Sequence, residues 1–393
     1  MKIFIYCQHV WGIGHLYRIR EICRALAHHD LVVVTGGPEV TLPMPDHVKH
    51  FRLPAIRMDA RAQLYADDGR SLEAVWPERI ARLCELFRSA PPDAFLIEFF
   101  PLGRNAFKRE LLPILAALRG GRLPPCRVYC SVRDILVEKR DQAFFEKRAA
   151  ATLNRWFDAL LVHADPSLIA LDATFATLTT IDIPVVYTGY VAPPGAEGID
   201  RQAFRQKIGL APDRKLIVAS AGGGQSGYPL LAALLAAQKA LMAQRGFHLA
   251  IFTGPYLSAR QRTALQRVAG PETVIRQFTP DFKTWLAAAD ISVSMAGYNT
   301  CMNLLTAGLP ALVWPFEGDR EQPLRAARLA EAGWLSVLAN VDLTVERLTT
   351  RIEETLRSWS PPSRPLDLQG ALKTAQFIEG QVPSKQSRRE GRQ

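Results

Sequence analysis

Short apolar runs of β-branched character alternate along this chain with longer stretches of helical periodicity. That alternation is the signature of βαβ units wound around parallel sheets. In the first half, strands are predicted at residues 2–7, 31–35, 94–99, 127–132, 159–163 and 184–188, with helices at 15–28, 72–89, 106–118 and 143–155. From Gly189 to Gly198 the sequence is rich in glycine and proline and has no periodicity, as a linker would be. A second series then predicts strands at 215–220, 248–253, 273–277, 291–295 and 311–314, and helices at 228–245, 258–268, 282–288, 300–307 and 320–332. The predicted organisation is α/β. A first Rossmann-like domain occupies 1–188, a linker 189–213 and a second Rossmann-like domain 214–345. Helices at 346–380 are placed to cross back onto the first domain, and 381–393 is a flexible basic tail. A length of 393 residues suits two domains.

Composition narrows the function classes. Apolar residues at 48% and charged residues at 22% are ordinary for a globular chain. No run of 18 apolar residues suggests a membrane span, and the first residues lack the features of a signal peptide, so a cytoplasmic location is expected. The net charge of +10 is diffuse, without a basic run in the body or aromatic residues interleaved with basic ones. That argues against nucleic acid and admits attraction to an anionic nucleotide or to lipid headgroups at the inner membrane face. The six cysteines contain no CxxC pair, so free thiols are expected.

Three constellations carry chemistry. Gly12, Gly14 and His15 follow the first strand, with Arg18 one helical turn later. Such a turn opens a helix N-terminus to an anion and sets His15 at the sheet edge where α/β folds bind ligands. A tight turn with a packing histidine is the competing reading, and His9 is a weaker candidate for the same job. Between a second strand and helix stand Gly222, Gly223, Gly224, Gln225 and Gly227. Gly222, Gly224 and Gly227 meet the GxGxxG spacing, but no acidic residue follows about 20 positions on and no GKS or GKT is present. Phosphate binding survives this test, and NAD binding and ATP hydrolysis do not. The third constellation runs through Ala296, Gly297, Thr300 and Asn303 to Gly308 and Pro310, then Trp314 and Pro315, and then Asp319, Glu321 and Gln322. It reads as strand, glycine turn, helix, stop, strand and polar loop opening another helix. Helix N-termini near Thr300 and Glu321 would hold a nucleotide diphosphate and its polar group. Neither an Asp-x-Asp pair nor a His/Cys cluster with ligand spacing occurs, so no metal is expected.

These motifs resemble nucleotide-sugar glycosyltransferases of the two-Rossmann-domain B type (GT-B), and the second half is similar to the C-terminal domain of family 28. The segments at 98–103, 133–136 and 187–191 are similar to those of a group of bacterial predicted glycosyltransferases. The resemblance implies two domains facing each other across a cleft, with a UDP-sugar in the second and an acceptor in the first. It implies inverting transfer of a hexosyl or N-acetylhexosaminyl group to a hydroxyl, with no cofactor beyond the donor substrate. His15 is then the base or electrostatic partner, with Glu98 and Asp134 as alternatives. Donor binding falls to Gly14, Gly222, Gly223, Gly224, Gln225, Phe278, Ala296, Gly297, Thr300, Asn303, Glu321 and Gln322. Within that set Phe278 takes the base, Gly223, Gly224 and Thr300 the phosphates, and Glu321 and Gln322 the sugar. Asn303 stands where the family usually has a glutamate for the ribose. A family member works on a lipid-linked acceptor. For this chain a lipid-linked or a small-molecule acceptor fits, the former with peripheral contact between an anionic membrane and an exposed apolar-basic stretch at 99–107. Two other readings remain: a UDP-sugar hydrolase sharing Gly12, Gly14, His15 and Arg18, and a non-catalytic nucleotide-sugar-binding protein.

Overall fold

The computed structural model describes residues 1–10, 14–39, 42–59, 61, 63–224, 226–318 and 320–382. The chain divides into two units, one of Met1–Val191 with the residues from Leu366 onward, the other of Ala192–Pro365.

The first unit runs β1 (Lys2–Tyr6), α1 (Gly14–Ala25), β2 (Asp30–Thr35), β3 (Val48–Arg52), β4 (Ile56–Met58), β5 (Leu64–Ala66), α2 (Leu72–Ser89), β6 (Ala94–Glu98), α3 (Lys108–Arg119), β7 (Arg127–Arg133), α4 (Gln142–Trp156), β8 (Ala159–His163) and β9 (Val185–Tyr187). Among the described residues seven strands form a parallel sheet in the order β3-β2-β1-β6-β7-β8-β9, while β4 and β5 pair antiparallel beside it. Every residue of β6 and of β8 is buried, as expected of parallel strands covered on both faces. Strand order reverses between β1 and β6. In open α/β sheets the ligand crevice lies outside the carboxyl ends of two such strands.

The second unit contains α5 (Arg201–Lys207), β10 (Lys215–Ser220), α6 (Tyr228–Arg245), β11 (Phe247–Phe252), α7 (Ala259–Val268), β12 (Thr273–Arg276), α8 (Phe282–Ala288), β13 (Ile291–Met295), α9 (Tyr298–Ala307), β14 (Ala311–Trp314), α10 (Glu321–Glu331), β15 (Ser336–Val337) and α11 (Val345–Ser358). Its parallel sheet has the order β12-β11-β10-β13-β14-β15 among the described residues. The reversal here lies between β10 and β13, the strands that precede the two glycine turns picked out in the sequence.

Besides the short strands β4, β5 and β15, none of them predicted, the structure departs from the predicted organisation in four places. Strand β3 was not predicted because its sequence, Val-Lys-His-Phe-Arg, is an edge strand with mostly exposed side chains and no apolar run. The stretch 189–213, read as linker, contains α5, whose Asp200 N-cap accepts the Ala203 N–H at 2.9 Å. The block 346–380 splits: α11 packs on α6 with Leu348 and Ile352 in the core of the second unit, while α12 (Gly370–Gln381) packs on α1 in the first. The predicted tail starts too early, because α12 runs through Gln381 and Val382 is buried, and 383–393 lie outside the described residues. The returning chain is held by an antiparallel bridge between Val191 and Gln369 and by the Tyr190 N–H, which donates to the Asp367 carbonyl at 2.7 Å. Gly189 takes φ +85° there, and a Cβ on it would lie 2.4 Å from the Asp367 carboxyl carbon.

Candidate active site

At the reversal of the first sheet, β1 leads toward α1, whose first residue is Gly14, and β6 ends at Glu98. His15 Nδ1 lies 2.6 Å from Glu98 Oε1, and Arg18, one turn along α1, donates to the same oxygen. Glu98 is buried at 1% exposure. Burial alone would raise its carboxyl, but His15 and Arg18 outweigh this and bring it down to about 2. His15 moves down to about 4, first because it is desolvated and then because Arg104 and Arg18 oppose a second positive charge, with Glu98 pulling the other way. At neutral pH the pair is therefore a carboxylate and a neutral imidazole. A carboxylate only accepts, so the Nδ1 carries the proton and the lone pair is on Nε2. That is the protonation state a general base needs.

The segment after Glu98 is bent to serve this edge. Phe99 (φ 70°) and Arg104 (φ 54°) are non-glycine residues with left-handed backbone, each costing on the order of 1–3 kcal/mol. Gly103 is required, since a Cβ on it would meet the Phe99 ring at 2.1 Å. The Phe99 ring stands edge-on to His15 with centroids 5.6 Å apart, and the Arg133 guanidinium lies 5.5 Å from its centroid. The expectation that 99–107 forms an exposed apolar-basic stretch is corrected: Phe99, Phe100, Leu102 and Phe107 are all buried, because the loop packs its apolar side chains inward.

Asp134 follows β7 and is buried, with Oδ1 accepting the Ile135 N–H at 3.0 Å. The imidazole of His9 donates from Nε2 to the Pro38 carbonyl at 2.8 Å. Sequence reading did not single out His163, which is fully buried on β8 between Ser131 Oγ (2.7 Å) and Thr188 Oγ1 (2.8 Å) and brought down to about 3 chiefly by burial. Its signal was no more than a histidine at a strand end.

At the reversal of the second sheet, the turn after β10 approaches α9. A Cβ on Gly222 would lie 3.5 Å from Thr300 Oγ1, and Thr300 is buried. The Gly222 N–H is held by Ser220 Oγ at 3.1 Å, and the Ser220 N–H by Ser294 Oγ at 3.0 Å. Gly224 (φ +96°) and Gly254 (φ +76°) let the loops after β10 and β11 interlock: the Gly224 Cβ position lies 2.3 Å from the Thr253 carbonyl, and that of Gly254 2.3 Å from the Gly222 carbonyl. The Tyr256 N–H donates to the Gly223 carbonyl at 2.9 Å. Ala296 is buried, and Gly297, the N-cap of α9, has open space at its Cβ position and no side chain to cap the helix. The Gly222 N–H is taken by Ser220 and the Gly224 N–H donates to the Ala221 carbonyl at 3.0 Å, so the feature that suits an anion is the start of α9, which no side chain caps, with its helix dipole.

Asn303, one turn into α9, donates its amide to the Asn299 carbonyl at 2.7 Å, which turns the amide oxygen into its acceptor end. Phe278 is 46% exposed in the loop after β12, and the Gln277 amide donates to the Pro255 carbonyl at 3.2 Å. Glu321 opens α10 and is buried in a 3.0 Å ion pair with Arg325, and Gln322 Oε1 accepts the Phe316 N–H at 3.2 Å. The predictions at Gly12, Gln225 and Asp319 lie outside the described residues. No group of three or more His, Cys, Asp or Glu residues able to hold a metal, and no helix long and apolar enough to cross a membrane, occurs among the described residues.

Residues 218–364 match the model of the glycosyltransferase family 28 C-terminal domain. The chain is 31% identical over 154 residues to the UDP-N-acetylglucosamine–N-acetylmuramyl-(pentapeptide) pyrophosphoryl-undecaprenol N-acetylglucosamine transferase of Cutibacterium acnes, covering 38% of this chain and 41% of that one. It spans about half the length of the curated relatives it matches. The glycosyltransferase of kitacinnamycin superposes with a TM-score of 0.64 at 18% identity, covering 97% of this chain and 99% of that one. For MurG of Acinetobacter baumannii the TM-score is 0.53 at 15% identity, covering 97% of each. These likenesses establish the fold, two Rossmann-like domains of the GT-B type.

Proposed function

We propose, from the match of residues 218–364 to the model of the glycosyltransferase family 28 C-terminal domain, that the chain transfers a sugar from a UDP-sugar to an acceptor hydroxyl. The observation that carries this reading is the cradle at the β10/β13 reversal, where the Gly222 turn approaches Thr300 at the start of α9, which no side chain caps. In this reading the cradle takes the diphosphate, and its N–H groups and helix dipole, rather than a metal ion, receive the charge that develops on the leaving group. Phe278 lies against the base, the Asn303 oxygen accepts from a ribose hydroxyl, and Glu321 with Gln322 binds the sugar. His15 Nε2 takes the acceptor proton as the hydroxyl attacks, and ionised Glu98 stabilises the imidazolium that forms. Attack from the side opposite the leaving diphosphate inverts the sugar carbon.

The relatives' names support UDP-N-acetylglucosamine as a donor and a lipid-linked acceptor as one candidate. With the large apolar side chains of 99–107 buried, membrane contact rests on charge alone, and flotation with anionic liposomes at low and high salt tests it. The decisive experiment is a thermal-shift screen of UDP-, GDP- and dTDP-sugars, followed by turnover of the stabilising donor with and without candidate acceptors. UDP-sugars alone should raise the melting temperature. No shift with any of them would overturn the donor assignment, and full-rate UDP release without an acceptor would point to hydrolysis instead.

A further inference from the structure

Among the described residues of the second unit, the exposed large aromatic side chains are Tyr256 and Phe278, each 46% exposed. They stand in the loops that follow β11 and β12, strands paired side by side, so both belong to the carboxyl edge of the sheet. The two loops are laced together: the Gly254 N–H donates to the Gln277 carbonyl at 3.0 Å, and the Gln277 amide to the Pro255 carbonyl at 3.2 Å. Tyr256 is fixed on its other side as well. Its N–H bonds the Gly223 carbonyl, its ring carbon Cδ2 lies 3.5 Å from where a Cβ on Gly223 would stand, and Leu257 beside it is buried. An aromatic pair held in place by its backbone and left half in water, at the edge where α/β sheets take ligands, is a binding surface.

The strand order says what crosses that surface. In β12-β11-β10-β13, Phe278 follows the first strand, and Thr300 lies on the helix after the last. Three strand spacings, about 14 Å, separate those two strands. A nucleoside diphosphate with its base against Phe278 and its phosphates at Thr300 therefore passes over the carboxyl ends of β11 and β10, where Tyr256 and the exposed Gly222 and Gly223 stand. The glycines leave the path open, and Tyr256 borders it.

We propose that Tyr256 is a donor-binding residue whose ring packs against the nucleoside, between the base at Phe278 and the diphosphate at α9. The inference rests on the UDP-sugar reading and adds to it a residue that the reading does not use. Because the ring touches the nucleoside and not the phosphates, its removal has a signature of its own.

The test titrates UDP, UMP and inorganic diphosphate by calorimetry into the full chain as wild type, Tyr256→Ala and Tyr256→Phe, with a thermal melt of each. Tyr256→Ala should weaken UDP and UMP by the same factor, at least about fivefold, the loss of one aromatic packing contact. Diphosphate affinity and melting temperature should not change. Tyr256→Phe should bind as the wild type does, because the ring makes the contact. Equal UDP affinity in wild type and Tyr256→Ala overturns the proposal and leaves the donor reading standing. A loss of diphosphate affinity by the same factor as UDP, or a lower melting temperature in Tyr256→Ala, also overturns it, and makes the ring a prop for the turn at 222–224. Tyr256→Phe losing as much as Tyr256→Ala overturns the ring contact in favour of the hydroxyl. If the wild type binds neither UDP nor UMP, the donor reading fails and the proposal falls with it.

Discussion

Glu98 spends one oxygen on two partners, and that sharing sets what can be expected of His15. His15→Ala should lower turnover by at least about 10²-fold while leaving UDP affinity within experimental error, measured by UDP release and calorimetry. In the wild type, protonation of His15 should cost no activity until pH falls toward about 4. The same lowering has a stability consequence with a definite sign. The unfolded chain takes up protons at His15 and His163 near the ordinary 6.5, whereas in the folded chain the two resist protonation down to about 4 and about 3. Their contribution is complete above 6.5 and is lost as pH falls from there, so denaturant melts of the first unit should weaken on acidification across that window. Asn303 offers a second residue-scale prediction. A carboxylate there would accept from ribose with charge assistance, so Asn303→Glu should tighten donor binding by about 1 kcal/mol in calorimetry. His15, Glu98 and Asn303 were legible as candidates because each stands at a fixed distance from a strand end or glycine turn. The bend after Glu98 was not, because Phe99 and Arg104 take a left-handed backbone that no glycine announces.

At the scale of elements, the two glycine turns of the second unit have different jobs, and substitution should separate them. Gly224→Ala forces a Cβ to within 2.3 Å of the Thr253 carbonyl at φ +96°. It should destabilise the second unit by about 1–3 kcal/mol in denaturant melts and weaken UDP binding with it. Gly297→Ala meets open space, so it should leave stability unchanged and weaken UDP binding alone, by crowding the start of α9. Strand and helix identities were readable from periodicity because buried parallel strands such as β13 are continuous apolar or small-residue runs. Strand β3 failed that test, since it is held by pairing with β2 rather than by burial of its own side chains.

At the scale of the whole chain, the sequence showed two α/β series but not which helix belongs to which. The stretches of α11 and α12 are both amphipathic, and only their partners, α6 and α1, separate them. Ile378 on α12 is fully buried in the first unit's core together with Val382 and residues of α1. Ile378→Ala should cost the first unit about 2–5 kcal/mol and speed amide exchange in α1, with the second unit's exchange unchanged.

The covering of α1 by a segment that comes after the entire second unit also orders events during synthesis. When residue 365 has left the ribosome, the second unit has all of its sequence and the first still lacks α12. The covering of the helix that bears His15 is therefore completed last, and a chain whose translation stops early would hold a finished second unit and an unfinished first.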